Sequence, residues 1–267
     1  MLKDITLGQY FPGRSILHHA DPRTKILLVF VLIIAIFVCS NPASLLLLAL
    51  FIFGMVYLAR LSLRMVLRGL KPLLFIIIFT AVLNLFMTPG GKTLWKFAML
   101  TITSSGVSRA ALIVVRLILL IVGASLLTYT TSPIQLTDGL EKLLSPLKKV
   151  HAPIHELAMM MSLALRFIPT LVEETDKIMS AQRARGADFD SGGLMHRVKA
   201  LVPILVPLFV SAFRRADELA TAMECRLYRG DIGRTRMRQL KFGKADAICA
   251  VAAVVVIGGA IAAQIIA

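Results

Sequence analysis

Long uncharged runs dominate the pattern of hydrophobic and polar positions along this chain. Several of them contain fifteen or more consecutive residues without Asp, Glu, Lys or Arg, which is typical of helices surrounded by lipid. Five runs are candidates for membrane crossings, although the first three are shorter than the ~20 residues that fill a bilayer core. We therefore predict an all-α polytopic membrane protein with about five transmembrane helices, at residues 26–40, 44–59, 72–87, 109–129 and 245–267.

A connection of about 115 residues separates the fourth and fifth predicted helices, and its periodicity is compatible with helix over most of its length. Two apolar stretches inside it, 157–172 and 201–213, are alternatives for further crossings. If both crossed, the basic stretch 173–200 would lie outside, against the tendency of Lys and Arg to stay in the cytoplasm. We therefore expect a large cytoplasmic domain of amphipathic helices. The predicted domains are a membrane region at 1–133, this helical domain at 134–244 and a C-terminal membrane helix at 245–267.

Charge predicts how these helices are oriented. The chain has 30 Lys and Arg against 15 Asp and Glu, a formal net charge of +15, although 57% of its residues are hydrophobic. Basic residues cluster before the first predicted helix and between the second and third, so we expect both regions and the N-terminus in the cytoplasm. Because the basic excess lies beside hydrophobic runs, membrane lipid and protein partners are favoured over nucleic acid. No apolar run precedes residue 26, and we expect no cleavable signal peptide.

One short motif, Gly90-Gly91-Lys92-Thr93, resembles the end of a phosphate-binding loop. Such a loop needs another glycine five residues before Gly91, and Phe86 stands there inside a hydrophobic run. A plain turn outside the membrane is the favoured interpretation, so we expect no ATP hydrolysis by this chain alone.

Residue types that bind metals or act as nucleophiles are scattered. His151 and His155 would share a helix face, but Pro153 lies between them and no third ligand is near in sequence, so a helix start is favoured. The three cysteines, which lack CxxC spacing, are Cys39, Cys225 and Cys249. We therefore predict neither an enzyme nor a protein with a metal site, a disulfide or a cofactor.

Arg116 falls inside the fourth predicted membrane helix, where a charged side chain is costly and usually faces a partner or a polar interior. None of the five predicted helices has an interior Asp, Glu or His to accompany it. Packing against another subunit, or snorkelling to the membrane surface, is favoured, and direct contact with a transported substrate is the alternative.

The sharpest pattern is a weak internal repeat, in which residues 176–186 and 217–227 align at an offset of 41 residues. Each copy reads as a helix that ends in an arginine, Arg185 or Arg226, after a small residue. A guanidinium at such an end can donate several hydrogen bonds to carboxylates or carbonyls in a partner's groove. Alternatively, each cation only interacts favourably with the dipole of its own helix. The pattern by itself leaves both interpretations open.

Five short motifs complete the sequence evidence: GQYFPG at 8–13, DPRTK at 21–25, TSP at 131–133, AQRARG at 181–186 and AMECR at 222–226. With this ordered set the chain resembles, over nearly its whole length, the transmembrane T component (the EcfT/CbiQ family) of energy-coupling factor (ECF) ABC transporters. Single motifs such as DPRTK are only suggestive, whereas the ordered set is specific.

The resemblance implies a membrane scaffold whose cytoplasmic coupling domain docks into two ABC-type ATPase subunits. It also implies a separate S component that captures a vitamin or a metal ion and rests on the scaffold in the bacterial cell membrane. The docking residues implied by the family motifs are Ala184, Arg185, Gly186, Cys225, Arg226 and Leu227. The first three match the family's Ala-Arg-Gly, whereas Cys225 replaces the usual alanine and Leu227 is not glycine. How closely the second helix approaches its ATPase is therefore open.

Two other classes of membrane protein compete with this interpretation. A self-contained secondary transporter needs its own substrate site, normally marked by broken helices or acidic groups at mid-membrane, and the predicted helices lack these groups. A membrane-embedded enzyme needs a nucleophile or a metal constellation, and the sequence has neither. The secondary transporter is kept as the alternative, and co-purification with two ATPases distinguishes the classes.

Overall fold

The computed structural model describes residues 10–13, 15–87, 90, 93–97, 100–150, 153–187, 189, 193–230 and 240–266. Within these ranges the chain is helical apart from one short hairpin, which confirms the all-α class. The helices are α1 (Ile16–His19), α2 (Pro22–Val38), α3 (Pro42–Leu58), α4 (Leu63–Leu70), α5 (Leu74–Met87), α6 (Ser104–Thr130), α7 (Pro133–Leu144), α8 (Ile154–Ala184), α9 (Leu194–Cys225) and α10 (Lys244–Ile266). Short 3₁₀ turns follow α4 at Lys71–Leu73 and α7 at Ser145–Val150.

The chain divides into two compact units, which are described separately. One, the membrane unit, comprises Gly8–Gly139 and Leu240–Ala267, and the other, the two-helix unit, is Leu140–Gln239. In the membrane unit, α2, α3, α6 and α10 pack around one apolar core. Its fully buried side chains include Ile36, Leu48, Ile52 and Leu119.

The opposite faces of the membrane-unit helices are apolar as well. Large exposed side chains on them include Phe30, Phe37, Leu50, Phe75 and Val254. A helix that is hydrophobic on all sides fits an environment with protein on one face and lipid on the other. The membrane unit therefore has the surface expected of a polytopic membrane protein.

Four helical stretches in the described residues are long and apolar enough to cross a membrane: Arg64–Met87, Ser104–Thr130, Ile154–Ala184 and Lys244–Ile265. Helices α2 and α3 coincide with the first two predicted crossings but have only 17 residues each. Helix α8 qualifies by length and composition, although the sequence favours an amphipathic helix outside the membrane. Its placement outside the membrane, like the predicted domain division, stays a prediction.

A short hairpin occupies the connection between α5 and α6, which the sequence predicted only as an external loop. Its strands, β1 (Thr93–Phe97) and β2 (Leu100–Thr103), pair antiparallel. Below the hairpin α5 and α6 approach each other at Gly106, where a Cβ atom would stand 2.8 Å from the carbonyl oxygen of Leu85. Glycine is therefore required for this close contact.

Two of the short motifs are helix starts. Asp21 is the N-cap of α2, where its carboxylate accepts the N–H of Arg23 at 2.9 Å and Pro22 takes the first helical position. Burial would raise the pKa of the Asp21 carboxyl, but the hydrogen bonds and charge of Arg23 outweigh it and hold the pKa below its ordinary value. At the start of α7, Ser132 and Gln135 form a reciprocal capping box at 3.3 and 3.4 Å. Local sequence thus decides where α2 and α7 begin.

The start of α2 is also tied to two distant parts of the chain. The carboxylate of Asp246, in the first turn of α10, accepts the N–H of Asp21 at 2.6 Å and the N–H of Gly243 at 2.7 Å. The buried ammonium of Lys25 donates to the carbonyl of Thr130, at the end of α6, over 3.0 Å. The DPRTK motif therefore joins α2, α6 and α10 at one end of the membrane unit.

Arg116 stabilises the turn between α2 and α3. Its Nη2 donates to the carbonyl of Cys39 at 2.8 Å and contacts the hydroxyl of Ser40 at 3.4 Å. On the same turn, the side-chain oxygen of Gln264 accepts the N–H groups of Ser40 and Asn41, both at 2.9 Å. Since Cys39 is the C-cap of α2, the cation also lies favourably at the negative end of that helix dipole. The Nη2 of Arg116 thus has its partners within the chain, whereas its buried Nε has none among the described residues.

The depth of this turn explains why it needs such partners. Arg116 lies 14 residues before the end of α6, which is about 21 Å at ~1.5 Å per residue. The hydrocarbon core of a bilayer is ~30 Å thick, so with the end of α6 at one surface, as the predicted crossing at 109–129 requires, this turn would lie inside the core. Backbone groups at that depth have no water to bind and must be satisfied by protein.

Replacing Arg116 by methionine is therefore expected to lower the free energy of unfolding by about 1 to 3 kcal/mol, the usual effect of an unsatisfied buried polar group. Unfolding of the purified protein by denaturant in detergent micelles measures the loss. Arg109→Met is the matched control, because Arg109 is an exposed arginine in the first turns of the same helix. Equal stability of the two variants would contradict this role for Arg116.

Candidate functional site

Helices α8 and α9 of the two-helix unit have 31 and 32 residues and lie against each other. Near the middle of α8, Glu174 accepts hydrogen bonds from the hydroxyl of Ser211 and, at 2.6 Å, from Arg215 of α9. Near the beginning of α8, Met159 accepts a hydrogen bond from the hydroxyl of Tyr228, just after the end of α9, at 3.1 Å. The two helices are therefore antiparallel.

The other end of the pair is joined through a proline-dependent contact. In a regular helix the carbonyl of Pro203 would accept the N–H of residue 207, but residue 207 is also proline and has no N–H. The side-chain amide of Gln182, near the end of α8, donates to this free carbonyl at 3.4 Å. The end of α8 thus lies beside the early part of α9.

Helix α8 ends in a Schellman motif centred on Arg185. The N–H of Gly186 donates to the carbonyl of Arg183 at 2.9 Å, and the N–H of Ala187 donates to the carbonyl of Gln182 at 3.0 Å. Gly186 takes the left-handed conformation that this motif requires, with φ +87°. Arg185 is the last residue before that turn.

Helix α9 ends in the same motif, centred on Arg226. The N–H of Leu227 donates to the carbonyl of Glu224 at 2.8 Å, and the N–H of Tyr228 donates to the carbonyl of Met223 at 3.0 Å. Here the left-handed position is occupied by Leu227, with φ +57°. A residue with a Cβ in this conformation costs roughly 1 to 2 kcal/mol. The weak sequence repeat therefore corresponds to two helix ends of equivalent backbone geometry.

The six residues that the family resemblance implied for docking are all exposed on these two ends. Within the described ranges, the guanidinium groups of Arg185 and Arg226 form no hydrogen bond or ion pair, whereas Arg215 pairs with Glu174 and Arg23 pairs with Asp21. Arg185 and Arg226 are therefore available to an external acceptor. The fold brings the three motif residues of each end together, but it does not bring the two ends together.

The two arginine-bearing ends lie at opposite ends of the helix pair. Arg185 follows the Gln182 contact, whereas Arg226 lies beside the Met159 contact. The 23 steps along α8 from residue 159 to residue 182 span about 35 Å at a rise of ~1.5 Å per residue. The two arginines are therefore separated by most of the length of the helix pair.

The other candidates from the sequence are the two histidines and the phosphate-loop-like motif, and the described residues among them form no metal site. His155 is buried, and its Nδ1 lies 3.1 Å from a carboxylate oxygen of Glu141, while His151 lies outside the described residues. Among the described residues no group of three His, Cys, Asp or Glu is placed to hold a metal ion. In the phosphate-loop-like motif, Gly90 has φ +118°, as in a turn, and Gly91 lies outside the described residues.

Sequence reasoning missed the contacts that hold the pair in register. Glu174 and Arg215 are 41 residues apart, and nothing local marks them as partners. Pro207 was a usable signal, because a proline inside a helix has no N–H and leaves the carbonyl four residues before it free.

Comparison with known proteins places these features in a family. The family model CbiQ, described as cobalt transport protein, matches residues 13–237. The energy-coupling factor transporter transmembrane protein EcfT of Ruminiclostridium cellulolyticum is 56% identical over 248 residues, which cover 93% of this chain and 92% of that protein. The protein of the same name from Acidaminococcus fermentans is 55% identical over 248 residues, with the same coverages of 93% and 92%. That from Bacillus subtilis is 49% identical over 240 residues, or 90% of this chain and 91% of that protein.

Proposed function

This chain belongs to the CbiQ/EcfT family, the transmembrane T components of energy-coupling factor transporters, and we propose that it transmits ATP hydrolysis by two cytoplasmic ABC-type ATPase subunits to substrate uptake. The observation that carries the proposal is the pair of equivalent helix ends at Arg185 and Arg226. Each presents an exposed guanidinium without a partner among the described residues, and the ends lie about 35 Å apart by helix length. Two similar cations at that separation suit two similar partners.

Each arginine is suited to an acidic groove on one ATPase subunit. The planar guanidinium donates to a carboxylate through two parallel hydrogen bonds, which fixes direction as well as distance. Because Glu174 and Arg215 hold α8 and α9 together, a movement of one ATPase is passed along a helix rather than absorbed in a loop. The docking residues in this proposal are Ala184, Arg185, Gly186, Cys225, Arg226 and Leu227.

The proposal includes a separate S component that captures the substrate, a vitamin or a metal ion, and rests on this scaffold. The family resemblance supports this division of labour. The two-helix unit and the N-terminus lie in the cytoplasm of a bacterium, as the distribution of Lys and Arg favours. A single cysteine at Ser180, in a variant without the native cysteines, is then protected from an impermeant thiol reagent in intact cells. Its labelling there would contradict this orientation.

Co-purification and reconstitution test the proposal. The tagged chain is expressed with the ABC-type ATPases and S components of its own organism, and the purified complex is inserted into liposomes. We expect two ATPase subunits per chain and ATP-dependent uptake that requires the S component. Uptake by the chain alone, driven by an ion gradient, would instead favour the secondary transporter.

A further inference from the structure

Leu227 is placed where the backbone favours glycine. It occupies the left-handed position of the α9 end with φ +57°, and the corresponding residue of the α8 end is Gly186 with φ +87°. The hydrogen bonds of the two ends are equivalent, so glycine would serve the α9 end at least as well. The leucine side chain therefore needs an explanation other than the shape of the turn.

No contact within the described chain compensates for this conformation. The side chain of Leu227 is 76% exposed. Among the described residues, one other non-glycine has positive φ, Arg60 at the end of α3, with φ 54°. Arg60 carries a cation at the negative end of a helix dipole, which is favourable. Leu227 has no charge, and most of its apolar surface is exposed.

The two ends differ on both sides of the arginine, with Ala184 and Gly186 around Arg185 but Cys225 and Leu227 around Arg226. The larger difference is in the residue after the arginine. At Gly186 the surface is bare, since a Cβ there would have nothing within 4 Å. At Leu227 an isobutyl group projects from the same backbone position. A partner that binds the arginine of either end must also contact the next residue, Gly186 or Leu227, because that residue is adjacent to the arginine in the chain.

On the basis of the proposed function, we propose that Leu227 is a specificity-determining contact that distinguishes the two ATPase docking events. The groove that receives Arg226 has an apolar pocket beside its acidic group, which Leu227 fills. The groove that receives Arg185 fits closely against the bare backbone at Gly186. Burial of the leucine side chain in one groove compensates for its strained conformation in the free chain.

The test compares Leu227→Gly and Leu227→Asn, because both residues accept the left-handed conformation but lack the apolar side chain. The full chain in lipid nanodiscs is titrated with the purified ATPase subunits, separately where they differ, and its thermal stability is measured in parallel. We expect one of the two binding events to weaken roughly 10- to 100-fold, the other to stay unchanged, and stability to be equal or higher. Leu205→Asn, an exposed leucine of α9 away from the end, should bind normally.

Arg185→Ala and Arg226→Ala are titrated in the same series to separate two kinds of failure. If these variants weaken binding but both Leu227 variants bind both ATPases as the unchanged chain does, this inference alone is overturned. If the arginine variants bind normally, the proposed function and this inference fall together. A Leu227→Gly variant that loses stability and binding in parallel would show that the leucine only shapes the turn, which also overturns it.

Discussion

Replacing Arg185 and Arg226 together by alanine is expected to abolish ATPase capture and ATP-dependent uptake. In the proposed docking, each truncation would leave a carboxylate of the partner groove buried and unpaired, a loss of about 2 to 5 kcal/mol, or roughly 30- to 5,000-fold in affinity per site. Each single variant should therefore weaken one docking event. Lysine should restore little, because an ammonium cannot form the two parallel hydrogen bonds of a guanidinium. Pull-down of ATPases by membrane-inserted variants measures the effect.

The matched control is the pair Arg166→Ala and Arg214→Ala. These arginines are exposed on α8 and α9 but lie away from the helix ends, so the double control removes the same charge from the same helices. It should retain ATPase capture. If Arg185 and Arg226 only interact with their own helix dipoles, the docking variants would lose about 0.3 to 1 kcal/mol of stability per site and capture ATPases normally. That result would leave the proposed function without its main support.

The second large effect is expected from Asp246→Ala in the membrane unit. Its carboxylate accepts the N–H groups of Asp21 and Gly243, at 2.6 and 2.7 Å, and it is 5% exposed. Truncation leaves the buried N–H of Asp21 without an acceptor, at about 1 to 3 kcal/mol, and removes the hydrogen bond of the exposed Gly243, at about 0.5 to 1.5 kcal/mol. The free energy of unfolding in detergent should fall by roughly 2 to 4 kcal/mol, because the start of α2 and the start of α10 are no longer joined.

Asp246→Asn and Asp217→Ala provide the comparison for this prediction. The asparagine variant keeps one acceptor oxygen and should lose less stability than the alanine variant. Asp217 is exposed on α9, and its truncation should change stability by less than about 0.5 kcal/mol. An Asp246→Ala variant as stable as Asp217→Ala would show that the contact between α2 and α10 does not matter for stability.

Several features of the fold were predictable because their causes are local. The apolar runs predicted α2, α3, α5, α6 and α10, since a helix in lipid needs only length and hydrophobicity. The helix starts at Asp21 and Ser132 follow from capping residues within three positions. The repeat around Arg185 and Arg226 predicted two helix ends, because each copy carries its arginine directly after a small residue. The hairpin between α5 and α6 was missed, because its short strands carry little periodicity.

The candidate site was predictable in its residues but not in its arrangement. The motifs identified six residues, and the structure places each group of three at the end of a long helix. The two arginines lie at opposite ends of an antiparallel helix pair. This arrangement depends on contacts made by Glu174, Arg215 and Gln182. These contacts join residues 21 to 41 positions apart, and sequence periodicity contains no information about partners at such separations.

The sequence by itself determined that this protein is a helical membrane protein with two arginine-bearing helix ends, because hydrophobicity, charge and capping act within a few residues. Only the tertiary structure decided the partners of Arg116 and the joining of α2 to α10 through Asp246. Each of these depends on which backbone groups lack a partner once the helices have packed. The whole fold decides which backbone groups lack a partner, so they cannot be predicted from any one segment.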